Sequence, residues 1–237
     1  MLTTQSYYDL AIASGLDSRL YCEVLELEAA PAGGAILRAL DGSRTHARRL
    51  VLCAGPWTRS LADRLGVDLP LSVERHFVAT FQWGVAPKFG FTWADMENGI
   101  YVKPEGSELF IVGTLHNERE VPPDDFDQSL TEDEILAFAD RLTRRVPSLV
   151  DAESRGGWVA LYDLSPDWQP VIGEIEDGIF VDAGTSGHGF KLAPALCREV
   201  ADLVLGHGDP ELGQFHPRRF SERQALVAGY GTARIFG

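Results

Sequence analysis

The segment G184-T-S-G-H-G-F-K191 packs three glycines, a histidine, a phenylalanine and a lysine ahead of an apolar-periodic run. It is not a phosphate-binding P-loop. That loop needs Gly-x-x-x-x-Gly-Lys-Ser/Thr. Here Phe190 stands where the lysine belongs, Lys191 comes one place late, and Leu192 follows in place of Ser or Thr. The segment's possible chemistry follows from helix electrostatics. Pro194 suits the first turn of a helix, where a missing N–H breaks no helical bond. The N–H groups of Gly187 to Lys191 are then expected near a helix N-terminus, which presents unpaired donors and about half a positive charge. Gly184, Gly187 and Gly189 let a flat group approach the backbone closely, and Lys191 adds a full cation. Such a site stabilises a ligand that becomes anionic, beside a second anionic group such as a carboxylate. A plain strand-to-helix turn with a solvated Lys191 fits the same residues.

The turn must be held by the elements around it. Ile179–Ala183 reads as a buried strand feeding it, and Leu192, Leu196, Val200, Leu203 and Val204 mark the inner face of the helix behind it. A second buried strand is expected over 47–54, apolar at Leu50 to Cys53 without alternation and so covered on both faces. Gly55-Pro56 ends it, and Trp57 to Gly66 reads as a short helix. At the start, Tyr8, Ile12 and Leu16 share a helical face that Gly15 could end, and residues 20–27 alternate like a strand.

The middle of the chain has a different character. Residues 71–83, 89–95, 100–103 and 109–115 read as strands joined by Asn98-Gly99 and a turn from Pro104 to Ser107, an antiparallel meander. Ser129–Arg145 is a helix in which Thr131 and Glu134 form a capping box. Gly157–Tyr162 is one more strand. The first ~70 and last ~60 residues are expected to share one layered α/β body with the meander inserted between them.

Bulk properties exclude several partners. A net charge of −14 argues against nucleic acid and anionic membranes, which need a basic footprint. No apolar run is long enough to span a bilayer, and the N-terminal residues lack the basic and apolar regions of a signal peptide. The three cysteines, Cys22, Cys53 and Cys197, lie far apart in apolar contexts and read as buried thiols of a reducing compartment, expected to be cytoplasmic. No Cys-x-x-Cys is present and the six histidines lack ligand spacing, so no metal is expected.

With these residues in view, G184-T-S-G-H-G-F-K191 resembles the Gly-x-Ser-Gly-His-Gly-Phe-Lys segment of the D-amino-acid-oxidase-like (DAO) FAD-dependent oxidoreductases, nearest the monomeric sarcosine oxidase and glycine oxidase branch. Four further segments agree in order: V51-L-C-A-G-P-W57, L69-P-L-S-V-E-R75, N98-G-I-Y101 and L161-Y-D-L-S-P-D-W-Q-P-V-I-G173. Each motif is weak; five in order are specific.

The resemblance implies an α/β (α+β) fold. A partial, Rossmann-like FAD-binding body would comprise 1–70 and 161–237, and an antiparallel substrate domain over 71–160 would carry the one long helix. It also implies non-covalent FAD, with its ring over Gly187, His188, Gly189 and Phe190 and with Gly184 and Lys191 also in the cofactor site. Ala54, Gly55 and Trp57 would lie along the cofactor, and the backbone of Val24 at its adenine end. Lys191 would hold a substrate carboxylate, and Tyr101 and Arg75 would complete the site for a small amino acid or amine.

Three departures from the family pattern shape what is expected. No Gly-x-Gly-x-x-Gly fingerprint for the FAD pyrophosphate occurs in the sequence. Either a further polypeptide supplies it, or that part was lost or left out, and the chain alone is expected to bind FAD poorly and expose a sheet edge. Ala160 stands where the sarcosine oxidases attach flavin to cysteine, and Ile111 where they place a lysine facing the ring, which favours an electron acceptor other than oxygen. His116 lies one position from the family's histidine and is given no role. The competing reading is a non-catalytic fragment or assembly subunit of a flavoenzyme.

Overall fold

The computed structural model describes residues 2–85, 88–115 and 118–226. Three sheets organise them. The first joins β1 (Val24–Ala29), β2 (Ala35–Ala39) and β3 (Arg44–Ala47) as an antiparallel meander. In the second, β10 (Val171–Glu176) pairs antiparallel with β11 (Ile179–Ala183), which pairs parallel with β4 (Leu50–Leu52). The third has the order β6 (Trp93–Asp95), β7 (Ile100–Glu105), β8 (Leu109–Thr114), β5 (Ser72–Gln82) and β9 (Glu153–Leu164), antiparallel throughout. The helices are α1 (Leu2–Ala13), α2 (Thr58–Asp63), α3 (Glu132–Arg145), α4 (Gly189–Leu205) and α5 (Arg218–Ser221).

The five-stranded sheet has two unlike faces, because alternate residues of a strand point to opposite sides. Phe77, Ala79 and Phe81 of β5, Phe110 and Val112 of β8, and Ile100 and Val102 of β7 turn one way and pack under Phe138 and Leu142 of α3. The helix sits there for local reasons. Thr131 Oγ1 accepts from Glu134 N and the Glu134 carboxylate accepts from Thr131 N, while acids lead and Arg144 and Arg145 trail. The other face, carrying His76, Val78, Trp158, Ala160 and Tyr162, lines a cavity.

Arg75 belongs to the helix face. Its guanidinium donates to Glu134 (2.7 Å) and to the carbonyls of Asp127 and Ser129 (both 2.8 Å), and lies 5.0 Å from the Phe77 ring centroid. The expectation that Arg75 contacts substrate is therefore corrected. Strand alternation turns it away from the cavity, and all three partners bind it to the α3 side. Its neighbour His76 is buried to the same degree.

Three more expectations change. Only Trp93–Asp95 of the predicted 89–95 strand is extended, because Phe89 packs edge-on to Trp83 and Trp93 in a loop. Residues 47–54 yield the three-residue β4, which has a strand neighbour on one side only among the described residues; Leu50 and Val51 are half-buried rather than covered on both faces. Cys53 and Cys197 are accordingly exposed and Cys22 half-exposed, not buried thiols. Helix α1 forms but buries none of its residues, so the face shared by Tyr8 and Ile12 has no partner among the described residues. The capping box, the meander, the buried β11 and the apolar face of α4 lie where the pattern predicts.

Glu134 both caps α3 and neutralises a buried cation, so Glu134→Ala is expected to lower the unfolding free energy by about 3 kcal/mol in urea denaturation. A fall well below 1 kcal/mol would show that the Arg75 pair is not built into the core.

Candidate active site

Tyr101 is the sequence-predicted residue that the structure brings into the cavity. The cavity, about 210 Å³, is lined by His76, Phe77, Val78, Tyr101, Ile111, Thr114, Trp158, Ala160 and Tyr162. Pairing of Tyr101 with Gly113 lets the phenol ring lie across the neighbouring strand, where a Cβ on Gly113 would overlap it. Burial, with Tyr162 adding to it, pushes the Tyr101 phenol up to about 12, so it is a neutral donor at any physiological pH. Ile111 and Ala160, the two departures noted in the sequence, both face this cavity.

The glycine turn is tied to the cavity through the end of β9. Asp163 Oδ2 accepts from Gly184 N at 2.6 Å, Asp163 O accepts from Ser186 N at 2.9 Å, and Leu164 bridges Thr185. Gly187, at φ +79°, passes so close to Tyr162 that a Cβ there would come 2.5 Å from its ring. Tyr162 in turn stacks on His76 at 4.0 Å. One continuous contact thus runs from the turn into the cavity wall.

The helix start differs from the sequence expectation. Helix α4 begins at Gly189 with His188 at its N-cap, so Pro194 sits in the second turn rather than the first. Its absent N–H leaves the Phe190 carbonyl without an α-helical donor. The positive end of the helix consequently falls on Gly189, Phe190 and Lys191 themselves. Gly187, Phe190 and Lys191 are exposed and His188 is buried. Lys191 is not among the residues lining the cavity.

The remaining predicted residues lie elsewhere on the α/β body. Ala54 follows β4, and Gly55 and Trp57 form the 3-10 turn after it. The Trp57 indole donates to Asp124 at 2.7 Å. Val24 opens β1, and its carbonyl accepts from Arg64 at 2.9 Å. His116 lies outside the described residues. Strands β4 and β11 are parallel, and both end at glycine-bearing turns followed by helix starts, the edge at which α/β folds bind dinucleotides. The donor set at Gly187–Lys191 and the open backbone at Gly187 fit the ring end of FAD. The Gly-x-Gly-x-x-Gly fingerprint for its pyrophosphate does not occur in the sequence.

Pattern reading did not single out three groups. Glu74 and His76 form a buried pair at 3.0 Å, hidden in sequence because β5 reads simply as strand. Asp163 carries the turn, and its carboxyl is raised by burial against the lowering effect of Gly184 N–H. Asp182, beside it, is pushed up to about 6 by burial and by Asp163, and its Oδ1 has no hydrogen-bond partner.

Comparison with known proteins bears on the family and the fold. The profile of the family described as "DAO: FAD dependent oxidoreductase" matches residues 1–203. The monomeric sarcosine oxidase of Streptomyces avermitilis is 32% identical over 207 residues, covering 78% of this chain and 53% of that protein. The chain thus spans about half the length of that relative. The glycine oxidase from Geobacillus kaustophilus superposes with a TM-score of 0.75 at 25% identity, over 88% of this chain and 55% of the other. The L-proline dehydrogenase from P. horikoshii reaches 0.83 at 21% identity, over 94% and 60% respectively, a likeness of fold.

Two outcomes follow from the geometry. Gly113→Ala is expected to cost about 1–3 kcal/mol by overpacking, and Tyr101→Ala in the same chain should recover most of that loss. Additive costs in the double-mutant cycle would mean that the two residues do not touch. For Asp182 the folded pKa is raised, so its contribution to stability is present below about pH 4 and is lost as pH rises through about 6. Asp182→Asn should therefore raise Tm at pH 8 and leave it little changed at pH 4; a lowered Tm at pH 8 would contradict this.

Proposed function

We propose that this chain, which belongs to the DAO family of FAD-dependent oxidoreductases, forms the substrate-binding and ring-facing part of an enzyme that oxidises the C–N bond of a small amino acid or secondary amine. The observation that carries this reading is the contact through Tyr162 between the Gly184–Lys191 turn and the cavity holding Tyr101. A cofactor ring over the turn would lie beside that cavity.

FAD, when bound, supplies an acceptor for the hydride that leaves the carbon next to nitrogen. The chain's own residues prepare that step. Gly187, Gly189 and Phe190 present backbone N–H groups at the positive end of α4, which favours the negative charge the ring acquires, while the His188 N–H donates to the Thr185 carbonyl and holds the turn. Lys191 attracts the substrate carboxylate from the rim of the first turn, and the neutral Tyr101 hydroxyl donates to it from the opposite wall. Trp158 and Ile111 give the cavity an apolar surface that excludes water from the reacting carbon. Ala54, Gly55, Trp57 and Val24 lie on the side assigned to the rest of the cofactor. Ala160 offers no thiol, so FAD is held without a covalent bond at this position. With Ile111 in place of a lysine, an acceptor other than oxygen takes the electrons onward. A polypeptide segment outside this sequence supplies the pyrophosphate fingerprint, and the unpaired edge of β4 is where its strand would add.

The reading is tested by preparing the chain with its FAD-binding segment. A yellow protein that bleaches anaerobically with a small secondary amino acid, and not with the same acid lacking nitrogen, supports it. A colourless product would favour a structural role in assembly instead. In the yellow protein, Lys191→Met should raise KM for carboxylate substrates by about tenfold to a hundredfold while flavin stays bound. An unchanged KM would remove Lys191 from the carboxylate site.

A further inference from the structure

Within the cavity wall, His76 is the side chain equipped to take a proton. It lies on β5 beneath the Tyr162 ring, stacked at 4.0 Å with planes 16° apart, and both residues line the cavity with Tyr101. Its Nε2 is 3.0 Å from Glu74 Oε2, and the same oxygen accepts from the Glu118 backbone N–H at 3.0 Å. Both side chains of the pair are buried, at 8% and 7% exposure. A carboxylate held on one ring nitrogen sets the tautomer: Nε2 carries the hydrogen and donates it to Glu74, so the lone pair resides on Nδ1. The arrangement orients a base, and a buried acid–base pair has no structural reason to line a cavity whose other walls are Phe77, Val78, Ile111 and Trp158.

We propose that His76, oriented by Glu74, accepts the proton of the substrate ammonium in the cavity and so generates the free amine. This rests on the amine-oxidising reading above and adds a residue to it. The need for such a base is chemical. An amino acid arrives mostly as its ammonium form, and a protonated nitrogen has no lone pair to assist departure of hydride from the adjacent carbon. In the step proposed, one N–H bond of the ammonium breaks and its electron pair stays on the substrate nitrogen. The proton forms a new bond to His76 Nδ1. The imidazolium that results is matched by the Glu74 carboxylate at 3.0 Å, so no net charge is left uncompensated within the pair.

The surroundings fit this task. Burial lowers the His76 pKa from its ordinary value while Glu74 acts in the opposite sense, leaving a neutral ring at neutral pH that can accept a proton. Among the described residues, the other titratable groups around it are the Tyr101 and Tyr162 phenols, both raised by burial, and Glu118, raised chiefly by burial with Thr114 acting against it. The two phenols hold their protons throughout the physiological range and do not compete as bases.

The test uses the flavin-loaded assembly with nitrogen-15 in its histidines. Two ligands are compared: α-aminoisobutyrate, which carries an ammonium but no oxidisable α-hydrogen, and pivalate, its isostere with a methyl in place of nitrogen. Binding of α-aminoisobutyrate should shift the His76 ring resonance from its neutral to its protonated position, and pivalate should not. His76→Gln assigns that resonance by its loss. It should also abolish the acidic limb of the pH profile of anaerobic flavin reduction and slow reduction at pH 7 on the order of 100-fold. Glu74→Gln, which keeps the ring in place, should move the acidic limb to lower pH. A ring that stays neutral with α-aminoisobutyrate bound, or a His76→Gln profile that keeps its acidic limb, overturns the assignment while leaving amine oxidation standing. Failure of both ligands to bind, with no flavin reduction by any amine, defeats the enzymatic reading and this step with it.

Discussion

The join between Asp163 and the Gly184–Ser186 backbone is the contact on which the site depends. Asp163 is the penultimate residue of β9, and its carboxylate and carbonyl take the N–H groups of Gly184 and Ser186. Two bodies with separate cores meet there. One core lies under α3 around Phe110 and Phe138, the other around Val181, Leu69 and Leu71. Without that join, the glycine turn and the cavity face would be features of two surfaces with no fixed relation. With it, Gly187 rests on Tyr162, and Tyr162 rests on His76.

Three acid–base pairs among the described residues, each with at least one buried partner, show how similar chemistry serves different ends. Arg219 and Asp167 meet at 2.8 Å with almost no exposure, and Asp167 also accepts from Leu226 N. That pair anchors α5 to the Ser165–Gln169 turn. Burial alone would raise Asp167, but Arg219 and the Leu226 N–H outweigh it and hold the carboxyl low. Arg75 and Glu134 tie β5 to the cap of α3. Both pairs are closed, with every strong donor directed at protein atoms. Glu74 and His76 are buried to a similar degree, yet they stand against a cavity. Removing water makes any of these pairs costly unless satisfied, and of the three only the last places a residue, His76, in the cavity wall.

Much of the architecture was legible from pattern. The capping box at Thr131 and Glu134, the meander from residue 71 onward, the apolar run of β11 and the spaced apolar face of α4 are local signals, and each formed where periodicity put it. The motifs led to Tyr101 and to the glycine turn for the same reason: a glycine run before a helix and an Asn-Gly hairpin are short-range features. The readings that failed depended on neighbours. Leu50 to Cys53 look like a strand covered on both sides, but coverage is supplied by other strands, and β4 has one. Pro194 looks like a helix start, but packing of the turn against Tyr162 begins the helix five residues earlier.

By itself, then, the sequence determined the class of fold and the family, because both rest on spacing along the chain. It could not decide between Arg75 and His76. They are adjacent, both polar, and both in a strand. Only the tertiary structure assigned one to α3 and the other to the cavity, because a strand sends neighbouring side chains to opposite faces and the choice of face belongs to the elements that pack on it.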